Sequence, residues 1–545
     1  MSQEHKPTIE GYTDQLSVKA GEELGFHIST HTHEYSIEIA RVGSERQVVW
    51  TKGGLSGVEH PVPENSFSHG CDWPLALNVA VPENWKSGYY EVILRGTDRH
   101  GQSAKGEMSF VVRSAHPGRD TKILLQRTTN TDNAYNTWGG ADLYRGKNGQ
   151  ARRVSFDRPY AGSVGYQGRF LFSISAAVEA DLAQGKVTPA LQKEFLDRGM
   201  PLTSFAKITT NSGHAGPGAD PDERIPFQWH ILDAEKCVRI EKQGEALNVY
   251  DDFTTYQNNW RNWEHPFVEW VERAGYEIDY AVNSDLEFHP EILDHYRLVL
   301  SAGHDEYWSS AMRDHLEAFI ARGGNVAFFS GNNVYWQVRS EDNGRALVSW
   351  KQGYKDDPHY KSGDHRQLTT LWCSRLVGRP ENQLTGVSFA YAGYHRFFDQ
   401  FPDGKAAYTV HRPDHWVFEG TGLKREDLLG AQNKIARYEC DGCDYELEDG
   451  IPVPTHRDGT PENFAILACC PAALSPVDGS LDMIVEALHG DRSAPHPQPG
   501  AAMIGTYTRG GTVVTVGANN WPDGLRGHDK AVERITRNIL DRLSR

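Results

Sequence analysis

Residues 292–309 read Ile-Leu-Asp-His-Tyr-Arg-Leu-Val-Leu-Ser-Ala-Gly-His-Asp-Glu-Tyr-Trp-Ser, and residues 323–336 read Gly-Gly-Asn-Val-Ala-Phe-Phe-Ser-Gly-Asn-Asn-Val-Tyr-Trp. The apolar runs at 297–301 and 326–330 predict two strands that are buried on both faces. The residues between them predict a helix that begins at serines and ends at two glycines. Its inward stripe has helical spacing and consists of Met312, Leu316, Phe319 and Ile320. A strand–helix–strand unit of this length makes the two strands parallel.

Both predicted strands end in polar residues that aromatic side chains flank. Residues 304–307 (His-Asp-Glu-Tyr) follow the first strand, and residues 330–333 (Ser-Gly-Asn-Asn) follow the second. In open α/β sheets the ligand crevice lies at the carboxyl ends of the strands. We therefore predict a functional site here. The alternative is that these two loops are simply polar and solvated.

The overall composition excludes several classes of protein. A chain of 545 residues exceeds one ordinary core and predicts two or three domains. The formal net charge of -17 argues against a nucleic-acid or anionic-membrane partner. The sequence has no run of about 18 apolar residues, so no transmembrane helix is expected. Seven scattered cysteines, and a start without an apolar signal segment, predict reduced thiols and a cytoplasmic location.

The patterning separates two kinds of domain. Residues 9–113 alternate between apolar and polar in short segments broken by turn signals. This predicts an N-terminal β-sandwich, immunoglobulin- or lectin-like, over residues 1–114. From about residue 265, strands and helices alternate. We therefore predict an α/β protein in which residues 115–545 form an amidotransferase-like (flavodoxin-like) catalytic domain with a parallel sheet and insertions.

Thiol, serine and zinc chemistry find little support. The turn after the first strand holds no cysteine, so a Gly-x-Cys-x-Gly nucleophile is missing there, and no Gly-x-Ser-x-Gly elbow occurs. One Cys-x-x-Cys, formed by Cys440 and Cys443, lacks two further zinc ligands. Three alternating histidines more simply indicate a solvated strand face: His27, His31 and His33.

Oxygen ligands are a stronger alternative for a metal. Glu306 is a carboxylate at a strand end beside His304, and Tyr135 and Tyr160 flank loops near the start of the same predicted domain. Phenolate and carboxylate are hard ligands that suit a hard, oxidised cation. Spacing alone leaves open whether the two tyrosines bind a metal or only pack.

Four motifs resemble the large subunit of N,N-dimethylformamidase and its relatives. They are Ala-Tyr-Asn-Thr-Trp-Gly-Gly (134–140), Val-Ser-Phe-Asp-Arg-Pro-Tyr (154–160), Ser-Ala-Gly-His-Asp-Glu-Tyr-Trp (301–308) and Phe-Ser-Gly-Asn (329–332). The similarity runs from about residue 8 to the end of the chain. It implies a sandwich followed by an amidotransferase-like domain, and it leaves the substrate open because most relatives are uncharacterised.

The resemblance implies an iron-dependent amide hydrolase. The family's known enzyme converts N,N-dimethylformamide to dimethylamine and formate, with one ferric ion bound by two tyrosines and a glutamate. Carried over, the glutamate is Glu306 and the first tyrosine is Tyr135. The second tyrosine is Tyr160, with Tyr144 as the reserve because the intervening loop is shorter here. The implied cofactor is one mononuclear Fe(III) ion. Asp305 departs from the family enzyme, which has proline there.

The resemblance also implies roles for residues around the iron. His304 and Asn332 match pocket residues near the metal. Glu439, at the end of a strand predicted over 433–438, matches a proposed general base, although it is also placed to pair with a neighbouring cation. The implied partners are a small amide substrate, further copies of the chain in a homo-oligomer and a small second subunit. No nucleic acid or membrane is expected.

Our leading interpretation is an iron-dependent hydrolase of small substituted amides. One rival is a protein with the same fold and metal that acts on a different C–N or C–O substrate. The other rival is a non-catalytic binding protein with a degenerate amidotransferase-like domain. Metal analysis distinguishes this last rival from the two enzymes, and a panel of formamides, other amides and ureas distinguishes the enzymes from each other.

Overall fold

The computed structural model describes residues 7–144, 150–160, 240–242, 245–247, 259–395, 401, 404–475 and 479–545. Its first strands are β1 (Ile9–Thr13), β2 (Ser17–Lys19), β3 (Glu23–Thr30), β4 (Glu34–Val42), β5 (Arg46–Ser56), β6 (Leu75–Ala80), β7 (Gly88–Thr97), β8 (Ser103–Arg113), β9 (Ile123–Arg127), β10 (Arg153–Ser155), β11 (Ile240–Lys242), β12 (Glu245–Leu247) and β13 (Asp279–Val282). The later strands are β14 (Leu298–His304), β15 (Tyr307–Ser309), β16 (Asn325–Gly331), β17 (Trp336–Glu341), β18 (Ala346–Val348), β19 (Ser388–Gly393), β20 (Tyr408–Val410), β21 (Leu428–Leu429), β22 (Cys440–Gly442), β23 (Tyr445–Glu448), β24 (Ile451–Pro454), β25 (Ala465–Ala472), β26 (Gly500–Arg509) and β27 (Gly511–Thr515).

The described α-helices are α1 (Ser66–His69), α2 (Thr129–Ala134), α3 (His265–Arg273), α4 (Asn283–Phe288), α5 (Ser310–Ala321), α6 (Pro358–Ser362), α7 (Asn382–Thr385), α8 (Ser480–His489), α9 (Trp521–Arg526) and α10 (Lys530–Leu543). Short 3-10 or π turns cover Trp260–Glu264, Pro290–His295, Asp342–Gly344, Lys351–Asp356, His365–Gln367 and Trp416–Phe418. Within the part of the chain that the structure describes, none of the helices combines the length and the apolar character that crossing a membrane requires.

Two sheets form the N-terminal part of the chain. One has the strand order β1-β3-β6, and the other has the order β2-β8-β7-β4-β5. The pairings are antiparallel, except that β2 runs parallel to β8. Alternate residues of both sheets enter one shared core, as Phe26 and Ile28 of β3 and Ile37 and Ile39 of β4 illustrate. The two sheets therefore pack face to face over an apolar layer.

The second part of the chain is built on a nine-stranded sheet. Its order is β13-β9-β14-β16-β27-β26-β25-β20-β21. The neighbours from β13 to β27 are parallel. The neighbours from β27 to β21 are antiparallel. The strand–helix–strand prediction at the centre is confirmed, because β14 and β16 pair in parallel with α5 between them.

The prediction of a flavodoxin-like, amidotransferase-like α/β fold is wrong. The described chain is richer in strand than in helix, its sheets are mixed, and most strand pairs are antiparallel. The physical reason lies in the tight turn at Gly510, which joins β26 to β27 directly. A connection this short joins only antiparallel strands, so the parallel series ends at β27 and the sheet continues in the opposite sense.

The central strands are apolar on both faces because both faces carry packed layers. Leu298 and Leu300 of β14 pack into one core together with residues of α3, α9 and α10. Val299 packs into the core on the other face together with residues of α4 and α5. This arrangement explains the unbroken apolar run in the sequence, since a strand with one solvated face alternates instead. Polar groups converge instead at the carboxyl ends of β14 and β16.

The strand predicted over residues 433–438 is also wrong. These residues form turns and bends, and a strand begins only at Cys440. Lys434 and Glu439 both have a positive φ, of 51° and 39°, which an extended strand does not accommodate. Glu439 therefore precedes β22 in a bend rather than ending a strand.

A buried glutamate that precedes α7 should make stability depend on pH. Glu381 is fully buried and accepts a hydrogen bond from Ser388 Oγ, and burial raises its pKa to about 8. The pKa of Glu381 is higher in the folded protein than in the unfolded chain. The protonated side chain therefore contributes to the free energy of unfolding fully below the unfolded pKa, and this contribution is lost as pH rises through about 8. We expect the wild type to lose more thermal stability than Glu381→Gln between about pH 5 and about pH 8.5, by at most about 1.4 kcal/mol per pH unit.

The measurement is the Tm of both proteins across that pH range. The glutamine side chain keeps the size of the glutamate and does not ionise. A Tm difference between wild type and variant that stays constant with pH would contradict the assignment.

Candidate active site

Three segments that are distant in sequence meet at the carboxyl ends of β14 and β16. Tyr135 caps α2, and the following loop folds back because Leu143 N donates to Ala134 O at 3.0 Å. That turn stacks the ring of Tyr144 on the ring of Tyr135, with centroids 4.6 Å apart. Glu306 follows β14, and its backbone N–H donates to Thr131 Oγ1 of α2 at 3.0 Å. The short helix α2 and the β14 loop are thus tied together directly.

Glu306 binds the hydroxyl groups of both stacked tyrosines. Tyr135 Oη donates to Glu306 Oε2 at 2.8 Å, and Tyr144 Oη donates to Glu306 Oε1 at 2.7 Å. The two phenol oxygens lie 2.9 Å apart. The two phenol oxygens therefore lie within hydrogen-bonding distance of each other, and each also lies within hydrogen-bonding distance of one carboxylate oxygen of Glu306. We call these three residues the Tyr–Tyr–Glu cluster.

A buried lysine and a third tyrosine support the cluster from one side. Lys351 Nζ donates to Tyr307 Oη at 2.7 Å, and Tyr307 Oη donates to Tyr144 Oη at 2.6 Å. The same ammonium group lies 2.9 Å from the ring centroid of Tyr144. Its charge favours the ionised form of Glu306 and lowers the pKa of that carboxyl, although burial raises the pKa more. The lysine thus supplies positive charge next to the cluster.

The protonation of the two phenols in the cluster depends on whether a cation is present. Burial, and then the charge of Glu306, hold the pKa values of Tyr135 and Tyr144 well above the usual phenol value. The residues alone therefore keep the phenols protonated. A bound cation reverses that preference, because it stabilises phenolate and carboxylate. Phenolate and carboxylate oxygens are hard ligands that suit a hard, oxidised cation.

A metal-ligand set at this place would depend on tyrosine oxygens. Across residues that the structure describes, no group of three or more His, Cys, Asp and Glu side chains is arranged to hold a metal ion. Cys440 and Cys443, the predicted zinc candidates, pack into the cores on opposite faces of the central sheet. The Tyr–Tyr–Glu cluster is therefore the arrangement that we consider for a cation.

A histidine–glutamate pair lies beside the cluster. His304 Nε2 is 3.0 Å from Glu439 Oε2 and 3.3 Å from Glu306 Oε2. Asn332 Nδ2 is 3.3 Å from the same nitrogen. Asn519 Nδ2 donates to Glu439 Oε2 at 2.8 Å. Gly303 permits this packing, since its φ is +82° and an added Cβ would lie 2.6 Å from Trp263 Cβ.

Burial sets the protonation of this pair. It lowers the pKa of His304 to about 3, so the imidazole is neutral near pH 7. Burial, and then the negative charge of Glu306, raise the pKa of Glu439 well above the usual carboxyl value. A carboxylate with a raised pKa is a stronger base than an exposed one, which suits proton transfer near neutral pH.

The structure brings five of the predicted site residues together and leaves one apart. Tyr135, Glu306, His304, Asn332 and Glu439 converge as described above. Tyr160 lies elsewhere, in a separate cavity of about 380 Å³ that Arg127, Asp132 and Trp260 also line. Tyr144, the reserve, takes the position beside Glu306.

Sequence reasoning missed three residues: Lys351, Asn519 and Asp441. Asn519 had an available signal, because it follows β27, a third parallel strand whose carboxyl end points to the same edge. Lys351 had no such signal in the sequence, since it reaches the site from the 3-10 turn Lys351–Asp356, which is distant in sequence from the other site residues. Asp441 lies two residues after Glu439 and hydrogen-bonds the backbone of the Asn332 turn.

Comparison with known proteins gives a consistent match. A family model described as "N,N-dimethylformamidase beta subunit-like, C-terminal" matches residues 36–205 and 235–534. The N,N-dimethylformamidase beta subunit of Alcaligenes sp is 26% identical over 318 residues, which cover 51% of this chain and 37% of that protein. The beta subunit of the same name from Paracoccus aminophilus is 26% identical over 317 residues, covering 51% of this chain and 36% of that protein. The matched region thus spans little more than a third of either relative.

Solved structures add no argument about the fold. The sporulation control protein Spo0M from Bacillus subtilis is 9% identical, and the match covers 21% of this chain and 51% of that chain with a TM-score of 0.15. Murine CRIg is 11% identical, with 20% of this chain and 97% of that chain covered and a TM-score of 0.14. Scores this low do not indicate a shared overall architecture.

Proposed function

Because this chain belongs to the N,N-dimethylformamidase beta subunit-like, C-terminal family, we propose that it is an iron-dependent hydrolase of small substituted amides. The reaction is the conversion of an amide and water to an amine and a carboxylate. The observation that carries the proposal is the Tyr–Tyr–Glu cluster, with its oxygens 2.7–2.9 Å apart, next to the His304–Glu439 pair. The beta subunit names of the relatives support the same class of reaction.

Tyr135, Tyr144 and Glu306 would hold one mononuclear Fe(III) ion. Two phenolates and one carboxylate offset the charge of a ferric ion and leave positions open for water and substrate. When bound, the ion would polarise an amide carbonyl and acidify water. We propose Tyr144 in place of Tyr160 as the second tyrosine ligand, because Tyr144 Oη lies 2.7 Å from Glu306 Oε1.

Glu439 is the proposed general base. It accepts a proton from water as the oxygen attacks the carbonyl carbon, so a C–O bond forms and the carbonyl oxygen gains negative charge. Glu439 then returns the proton to the amide nitrogen as the C–N bond breaks, and the amine leaves. Asn519 orients the carboxylate through its hydrogen bond of 2.8 Å.

Asn332 and His304 are proposed to orient the carbonyl group. The Asn332 amide group can donate a hydrogen bond to an oxygen that gains charge, and such donors stabilise the tetrahedral intermediate. His304 is neutral, so it supplies a directed dipole next to Glu439 without adding a charge. Trp263 packs nearly perpendicular to His304, with ring centroids 6.0 Å apart.

The proposal includes partners and a location. The relatives are named as beta subunits, which supports a small second subunit as a partner. We also propose a homo-oligomer and a cytoplasmic location. The described cysteines are free thiols, and this state fits a reducing compartment.

Metal content and a substrate panel test the proposed function. The purified full chain should contain one iron per chain and absorb visible light, because phenolate-to-ferric charge transfer is coloured. It should release amine and carboxylate in equal amounts from at least one formamide, other amide or urea. Stoichiometric zinc in a colourless protein, or no turnover across the panel with iron bound, would contradict the proposal.

The two tyrosine candidates give a matched pair of variants. Tyr144→Phe removes one oxygen from the cluster, so iron occupancy should fall by about tenfold or more and the visible band should shift or disappear. Tyr160→Phe makes the same chemical change in a different cavity. It should keep iron, colour and turnover within about twofold of wild type. The measurements are iron per chain and the visible spectrum; bleaching by Tyr160→Phe alone would reverse the assignment.

A further inference from the structure

Two carboxylates at the start of β22 reach the same pair of loops. Glu439 contacts His304 after β14, as described above. Asp441, two residues later, reaches the turn after β16 that carries Asn332. The proposed reaction uses Glu439 and leaves Asp441 without a role.

The contacts of Asp441 all point to one turn. Its Oδ1 accepts a hydrogen bond from Asn332 N at 2.9 Å. Its Oδ2 accepts from Asn333 N at 3.1 Å and from Asn333 Nδ2 at 2.8 Å. The side chain is fully buried, and none of the described lysine, arginine or histidine side chains forms an ion pair with it. Burying a carboxylate without a cation is unfavourable unless hydrogen bonds compensate, and the three hydrogen bonds from this turn provide that compensation.

The turn that Asp441 holds has an unusual backbone. Asn332 has a φ of 48° and Val334 has a φ of 54°. Asparagine tolerates this left-handed region, whereas a β-branched residue such as valine rarely adopts it. Such a conformation persists only where neighbouring groups enforce it. The three hydrogen bonds that Asp441 accepts restrain Asn332 and Asn333, and Val334 N donates to Asp305 O at 2.8 Å. The resulting turn brings the Asn332 side chain to His304.

Side-chain hydrogen bonds connect the Asn332 turn to the loop that carries Glu306. Ser330 Oγ donates to Asn333 Oδ1 at 2.5 Å, and Ser330 Oγ lies 3.1 Å from Ser301 Oγ. Ser301 Oγ donates to Asp305 Oδ2 at 2.8 Å. Asp305 immediately precedes Glu306. A continuous, buried chain of side chains therefore joins the strand that follows Glu439 to the loop that carries Glu306.

We propose that Asp441 is a positioning residue of this site, which acts through the Asn332 turn to fix the Asn332 side chain against His304 and the substrate carbonyl. The inference rests on the proposed function, since it assigns Asn332 to the carbonyl. The Asp441 carboxylate hydrogen-bonds the Asn332 turn and is not part of the Tyr–Tyr–Glu cluster.

A double-mutant cycle separates positioning from general stabilisation. The four proteins are the wild type, Asp441→Asn, Asn332→Ala and the double variant, assayed on the best amide of the panel. Asp441→Asn should lower kcat by about 10–100-fold, because the amide NH₂ group replaces one carboxylate oxygen and would face a backbone N–H group that it cannot accept from. In the Asn332→Ala background the same change should cost less than about threefold, because the residue through which Asp441 acts is already absent. Equal losses in both backgrounds would overturn the inference.

Asp458 provides the matched control. It is also a buried carboxylate that accepts from backbone N–H groups, at 2.7 Å from Asp444 N and 3.0 Å from Thr460 N. Asp458→Asn should lower Tm and leave kcat within about twofold, since it lies outside the proposed site. If Asp441→Asn does not fold, Asn333→Ala keeps both backbone donors to Asp441 but removes the side-chain donor and the acceptor of the Ser330 hydrogen bond. Its smaller loss in kcat should also vanish in the Asn332→Ala background.

Crystal structures give a readout that does not depend on turnover. In the wild type Asn332 Nδ2 should lie about 3.3 Å from His304 Nε2, and in Asp441→Asn this contact should be lost. An unchanged Asn332 turn in the variant would overturn the inference. If the wild type hydrolyses no amide, the proposed function fails, and this comparison still decides whether Asp441 positions Asn332.

Discussion

Glu306→Gln is expected to lose the metal while the protein stays folded. Glu306 is 1% exposed and receives hydrogen bonds from both tyrosines of the cluster. A neutral amide is a far weaker ligand for a hard cation than a carboxylate, and its NH₂ group would face a phenol that needs an acceptor. We expect iron occupancy below about a tenth of wild type and a loss of turnover of about 10³-fold or more, which corresponds to about 4 kcal/mol.

Glu381→Gln is the control for this variant. It makes the same chemical change in another fully buried glutamate that lies outside the cluster. Iron, colour and kcat should stay within about twofold of wild type. The measurements are iron per chain, the visible spectrum and circular dichroism to show that both variants are folded. Full iron occupancy in Glu306→Gln would remove Glu306 from the ligand set.

Glu439→Gln is expected to separate proton transfer from metal binding. Glu439 contacts His304 and Asn519 but is not part of the Tyr–Tyr–Glu cluster. The glutamine oxygen can still accept from Asn519 Nδ2, so the local structure should survive. The variant should therefore keep iron, colour and most substrate affinity. Its turnover should fall by about 10²–10⁴-fold, which is the usual contribution of a positioned general base.

Two outcomes would contradict this assignment in different ways. Loss of iron from Glu439→Gln would make Glu439 a ligand or a structural support of the metal. Near-normal turnover with iron retained would leave the proton acceptor elsewhere, and His304 would be the next residue to test. Iron content, KM and kcat measured on the same preparations distinguish these outcomes, with Glu381→Gln again as the control.

The sequence predicts the centre of the fold well because local patterning determines it. The doubly buried strands and the helix between them are present as β14, α5 and β16, and Ser309 caps the helix by accepting from Met312 N. The convergence of His304, Glu306 and Asn332 follows from the parallel pairing of β14 with β16. Residues at the ends of neighbouring parallel strands meet whatever the rest of the sheet does.

The remaining differences come from geometry that local patterning does not encode. The resemblance favours Tyr160 and keeps Tyr144 in reserve, whereas the fold-back of the loop after α2 brings Tyr144 to Glu306. The wrong strand at 433–438 has an apolar pattern, yet left-handed residues interrupt it. The prediction of a parallel sheet is wrong because the β14–α5–β16 unit does not determine the orientation of the strands beyond it. The turn at Gly510 makes β26 antiparallel to β27.

The wide separation of the three site segments has a consequence for how the protein assembles. Tyr135 and Glu306 are 171 residues apart, and Glu439 comes from a still later part of the chain. Long-range contacts of this kind form slowly during refolding, because large loops must close before they yield any favourable interaction. The visible band of a bound iron would therefore appear late in refolding, after most secondary structure. Colour recovery would then report completed tertiary assembly, whereas far-ultraviolet ellipticity would report only its early stages.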